Sequence, residues 1–124
     1  MAYRELALIL TSVSLSALAQ VAFKLGVSSP KVRAALTEGG AAETVMSFIA
    51  SPAIVGGLAL YGIGTLLWLN VLAKTELSQA YPFVGLGFAF TAFLGYALFN
   101  DTLSPMRLTG TAVVIAGIVL VARG

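Results

Sequence analysis

Four long stretches of this sequence carry no charged residue, and they limit what the chain can fold into. No charge occurs between Glu5 and Lys24, between Glu43 and Lys74, between Glu76 and Asp101, or between Arg107 and Arg123. A helix needs roughly 20 apolar residues to cross about 30 Å of hydrocarbon. Such a helix pairs all its backbone polar groups within itself, as a bilayer demands. The gaps therefore predict an all-α membrane protein of four transmembrane helices, over about residues 5–25, 53–74, 78–99 and 104–122. The residues at 27–51 are expected to form an interfacial loop, and 1–124 to form one transmembrane domain. Only 10% of the residues are charged and 59% are apolar, with a mean hydropathy of +0.99. A soluble domain carries about a quarter of its residues as charges.

The first span has features of a signal peptide: Arg4 ahead of an apolar run, then Ala17-Leu18-Ala19 before Gln20. It is read here as a retained span. In the long loop, Ser28-Ser29-Pro30 favours a helix start. Val32, Ala35 and Leu36 would share a face, with Lys31 and Arg33 toward head groups. Gly39-Gly40 breaks that segment, and 44–50 forms either a second short helix or part of a solvated loop. Span two carries Gly56, Gly57, Gly62 and Gly64, which allow close helix contact in a membrane. In span three, Pro82 cannot donate to the carbonyl of Ser78, and Gly85 and Gly87 follow. These three mark a hinge. The turns at 74–76 and 100–104 are short enough to make adjacent spans antiparallel. Cations divide three against four: Arg4, Lys74 and Arg123 on one side, Lys24, Lys31, Arg33 and Arg107 on the other. So even a split does not fix orientation.

Several function classes drop out. The chain has no cysteine and no histidine, so there is no thiol nucleophile, histidine base or usual zinc site. No Gly-rich phosphate loop is present, and no cofactor or metal is expected. The chain is not expected to be an enzyme. A net charge of +2 does not point to nucleic acid. Every acid lies at a span end or in a loop. A proton-coupled carrier of cations needs a carboxylate within the membrane, and the spans offer none.

Span one instead carries a polar stripe, Ser12, Ser16, Gln20 and Lys24. Steps of four keep these on one side of a helix, drifting about 40° per step. Ser16 and Gln20 suit a hydroxyl-rich ligand, and Lys24 suits a phosphate at head-group level. Helix–helix hydrogen bonding and snorkelling are the alternatives. Trp68 and Tyr81 are stacking candidates for a sugar, or else members of the interfacial aromatic belt. Arg107 is a second cation for the phosphate. Gly110 and Gly117, about two turns apart, suit close helix packing or a dimer contact.

The ordered set Ser14-Leu15-Ser16-Ala17, Gln20, Lys24, Trp68-Leu69-Asn70-Val71-Leu72, Ala80-Tyr81-Pro82, Leu103-Ser104-Pro105, Gly110 and Gly117 resembles the small four-helix branch of the drug/metabolite transporter superfamily. The plan is similar to that of the small multidrug resistance proteins, but their membrane glutamate in span one is missing here. The closer likeness is to subunits of the aminoarabinose–undecaprenyl-phosphate flippase. That resemblance implies transport of a polyprenyl-phosphate-linked sugar across a bacterial inner membrane, by a homo- or heterodimer among membrane lipids. The other readings are an exporter of small or amphipathic solutes, and a non-transporting partner subunit.

Overall fold

The computed structural model describes residues 3–124. Its elements are α1 (Tyr3–Val27), α2 (Pro30–Glu38), α3 (Ala41–Ala50), α4 (Pro52–Lys74), α5 (Leu77–Ala80), a 3-10 turn (Tyr81–Val84), α6 (Gly85–Phe99) and α7 (Pro105–Arg123). Four segments are long and apolar enough to cross a membrane: α1, α4, the composite run Leu77–Phe99, and α7. The all-α, four-span expectation holds.

Three helices begin in the same way. Ser29, Ser51 and Ser104 accept a hydrogen bond from the backbone N–H three residues on, and proline follows each serine. A serine cap satisfies an orphan donor, and proline in the first turn removes another. Helix α6 ends at Asn100, whose φ of 58° is left-handed. Asparagine tolerates that conformation better than most residues. The chain can then reverse at once, with the Asp101 N–H donating to the Gly95 carbonyl at 3.1 Å.

The loop is a pair of helices. Helix α2 starts at Pro30 and buries Val32 and Ala35, but Leu36 stays half exposed. The break falls at Gly39-Gly40, as expected. Helix α3 begins at Ala41, three residues earlier than 44. Thr44 is inside its first turns, where the hydroxyl donates to the carbonyls of Gly40 and Ala35 and ties α3 to α2.

Helix α1 is the spine. It lies along α4 and also contacts α6, whereas α7 packs on α6 and the 3-10 turn. The α1–α4 seam is close because glycine lines it. A Cβ on Gly57 would stand 2.8 Å from the Phe23 ring, and one on Gly64 would stand 3.3 Å from the Ser12 carbonyl. Gly56 and Gly62 meet nothing within 4 Å, so only two of these four glycines serve that seam. The buried Ser12 hydroxyl donates to the Gly64 carbonyl at 2.7 Å and pins the crossing.

A small apolar cluster, Ile9, Val13, Val71, Ala80, Phe83 and Ile118, closes the end of the bundle where the chain termini lie. It draws residues from α1, α4, α5, the 3-10 turn and α7. Pro82 falls within the 3-10 turn, where its missing N–H is easily accommodated. Gly85 lets α6 approach α7, since a Cβ there would stand 2.8 Å from Val114.

Candidate functional site

A groove of about 500 Å³ lies between α1, α4 and the third span. Helix α1 contributes Ser12, Ser16 and Gln20, α4 contributes Tyr61, Gly64, Thr65 and Trp68, and the third span contributes Tyr81, Gly87, Phe88 and Thr91. Four candidates named from the sequence, Ser16, Gln20, Trp68 and Tyr81, thus converge on one hollow. Trp68 also packs against the buried cluster, so its indole both supports the wall and faces the groove.

The lining sets polar groups into a largely apolar surface and carries no charged side chain among the described residues. Hydroxyls, an amide and aromatic rings offer hydrogen bonds and stacking faces without an ion pair. The Thr65 hydroxyl donates to the Tyr61 carbonyl at 2.8 Å and that of Thr91 to the Phe88 carbonyl at 3.2 Å. Each keeps its oxygen lone pairs for an outside donor.

Two candidates stand apart. Lys24 is exposed one turn beyond Gln20 and is not among the groove's lining residues. Arg107 lines a separate hollow of about 380 Å³ between α6 and α7, together with Asp101 and Thr102. Its Nη1 donates to the Thr102 carbonyl at 2.9 Å. Phe88 lines both hollows and is 61% exposed. A Cβ on Gly110 or Gly117 would meet nothing within 4 Å; Gly110 lines this second hollow, and Gly117 is exposed on α7.

Tyr61, Thr65 and Thr91 are groove residues that the sequence reading missed. A signal existed for the α4 pair: with Gly64 and Trp68 they occupy positions i, i+3, i+4 and i+7, one face of a helix. Pro82, Gly85 and Gly87 sit where the third span changes from 3-10 to α winding.

Comparison with known proteins agrees with this architecture. The chain is 30% identical over 119 residues to the probable 4-amino-4-deoxy-L-arabinose-phosphoundecaprenol flippase subunit ArnE of Pseudomonas fluorescens, covering 96% of this chain and 97% of that protein. It is 32% identical over 117 residues to the protein of the same name in Pseudomonas aeruginosa strain UCBPP-PA14, covering 94% and 96%. It is 36% identical over 86 residues to the uncharacterized protein y4nH of Sinorhizobium fredii, covering 68% and 70%. No family model and no solved structure matches the chain. With four spans and such relatives, it is a multi-pass protein of the bacterial inner membrane. A full-length match at this identity, on four helices that form an uncharged groove, places the chain in the family of the ArnE flippase subunits.

Proposed function

We propose that this chain is a subunit of a flippase that moves an undecaprenyl-phosphate-linked amino sugar across the inner membrane. The relatives' names supply the ligand class, and the observation that carries the reading is an uncharged, largely apolar groove into which Ser16, Gln20, Thr65 and Thr91 bring polar groups. A lipid-linked sugar needs a polar path for its head while the tail stays in hydrocarbon. Helices α4 and α6 flank α1 without substantial packing on each other, which leaves the groove a lateral opening toward lipid. The sugar rests on Ser16 and Gln20 and stacks on Trp68 or Tyr81. Lys24 holds the phosphate at the groove's outer end, with Arg107 as the competing cation. The bend at Pro82, Gly85 and Gly87 lets the third span move against α1.

Residues 27–51 lie at the membrane interface in this reading. The working unit is a homo- or heterodimer joined through α7, whose exposed Gly110 and Gly117 leave room for a close helix approach. The chain acts as a transporter subunit rather than an enzyme.

Reconstitution with labelled lipid tests the proposal. Flipping is expected from this chain alone or with a second subunit. Lys24→Ala should lose about ten- to a hundredfold in affinity, since a hydrogen bond to a charged partner contributes about 1.5–3 kcal/mol. Unchanged binding in Lys24→Ala with loss in Arg107→Ala would move the phosphate to the second hollow. No flipping in either subunit arrangement would refute the proposal.

A further inference from the structure

We propose that helix α3 is embedded in the bilayer through the face that carries Val45, Met46 and Ile49, as an anchor at the end of the bundle opposite the chain termini. The proposal goes beyond the flippase reading and does not depend on what the groove carries.

The two helices of the hairpin between α1 and α4 obey opposite rules. Helix α2 hides apolar residues: Val32 and Ala35 are buried, while Lys31, Arg33, Thr37 and Glu38 are exposed. That is the pattern of a helix packed on protein with its other side in water. Helix α3 is inside out. Its Ser47 is only 5% exposed, and the hydroxyl donates to the Thr44 carbonyl at 2.7 Å. The Thr44 hydroxyl donates to the Ala35 carbonyl of α2 at 3.2 Å. Val45, Met46 and Ile49 are 53%, 65% and 64% exposed. At about 100° per residue these three share one face, and Ser47 and Thr44 fall on the other side. The single charge on α3 is Glu43, in the first turn, where the helix dipole favours an acid. Polar groups bonded inward and apolar groups turned outward suit a lipid surround, not an aqueous one.

The connections fix what that face can meet. Two residues lead from α1 into α2, and Ser51 alone separates α3 from α4. Ser51 serves both helices: its N–H donates to the Phe48 carbonyl, and its hydroxyl accepts from the Ile54 N–H. This joint is held against the end of α1, since a Cβ on Gly26 would strike Ile54 and stand 3.2 Å from the Ser51 hydroxyl. Both α1 and α4 are membrane spans. A helix of 10 residues, about 15 Å long, tethered by one residue to the end of a span, stays at the bilayer surface. The exposed apolar surface of α4 begins close to the joint, at Val55 and Leu58. A helix lying in the interface buries its apolar face about 5–10 Å into the head-group and acyl boundary. The occupant of the α3 face is therefore the lipid leaflet on the side of Lys24. Embedded there, α3 holds the start of α4 at a set depth, and with it Tyr61 and Thr65 of the groove.

The chain has no cysteine, so single cysteines can carry a fluorescent label for the test. Met46→Cys and Ile49→Cys report the proposed face, Thr37→Cys the exposed side of α2, and Leu58→Cys the exposed surface of a span. The full chain is reconstituted in phosphatidylcholine–phosphatidylglycerol vesicles, with iodide on both sides as the aqueous quencher. Labels at 46 and 49 should lose most of their fluorescence to phosphatidylcholine bearing a nitroxide near its head group, and little to iodide. The label at 37 should show the reverse, and the label at 58 should respond to lipid alone, which verifies insertion. Iodide quenching at 46 and 49 equal to that at 37 puts the face in water and overturns the anchor. Protection of both from lipid and iodide alike means that protein, such as a second copy of the chain, covers the face, and overturns it as well. Neither result touches the flippase reading, which the lipid-flipping assay decides.

Discussion

The α1–α4 seam and helix α7 use the same residue in opposite ways. Along the seam, Gly57 and Gly64 face neighbouring atoms that a Cβ would strike or crowd, and Ser12 bonds across to Gly64. On α7, Gly110 and Gly117 face open space, and in its span window only 6% of residues are buried, against 28% in that of α1. Lipid tails are as apolar as leucine, so helices associate in membranes where backbones approach closely or polar groups bond. The seam meets both conditions within the chain. Helix α7 meets the first where Gly85 of α6 comes up against it, while its own two glycines lie open. The difference teaches that small residues mark contacts without saying whose they are; the occupant of the opposite face decides.

The comparison can be broken most forcefully at Gly57. Gly57→Leu would drive its Cβ into Phe23 and against the Ala19 carbonyl, whereas a Cβ at Gly56 meets nothing within 4 Å. Overpacking costs about 1–3 kcal/mol and occasionally more. Gly57→Leu should therefore lower the midpoint of unfolding in mixed micelles sharply, and Gly56→Leu should stay within about 0.5 kcal/mol of wild type. Equal losses at the two positions would erase the distinction between seam and outer face.

A second, smaller effect concerns α7. Replacing both Gly110 and Gly117 with leucine should leave helicity and monomer stability unchanged and weaken association by about tenfold, or roughly 1.4 kcal/mol. Analytical ultracentrifugation in detergent reads this directly. Unaltered association would show that α7 is a lipid-facing helix. The smallest effect belongs to Ser12→Ala. Hydrogen bonds between membrane helices average about 0.6 kcal/mol, so Ser12→Ala should lower the unfolding free energy in mixed micelles by about that amount and the fold should survive.

These contrasts also explain what the sequence disclosed. The four spans were legible because bilayer thickness fixes the length of an uncharged run. Ser29-Pro30 was read as a helix start, and the caps at Ser51-Pro52 and Ser104-Pro105 are the same local chemistry. The stripe from Ser12 to Gln20 was legible from the helical period, and Trp68 and Tyr81 were named as stacking candidates or members of the interfacial aromatic belt. Which of four glycines faces α1 was not legible, because that depends on the rotation of α4 about its axis. Lys24 illustrates the same limit: helical spacing extended the stripe to it, but on α1 the lining of the groove ends at Gln20. Glu5 looked like an ordinary acid at a span end. Only the packing around it shields its carboxylate oxygen.

The four residues Tyr81–Val84 form a short screw thread between two smooth rods. A 3-10 residue rises about 2.0 Å and turns 120°, where an α residue rises about 1.5 Å and turns 100°. Rewinding this thread to α geometry would draw α5 about 2 Å toward α6 and rotate one against the other by about 80°. Pro82 brings no N–H to either ladder, so that position has no bond to break in the exchange. The stretch from Ala80 to Val84 alternates between the buried cluster, with Ala80 and Phe83, and the groove, with Tyr81 and Val84. One partial turn of the thread would reset cluster and groove together, like wards on a single key.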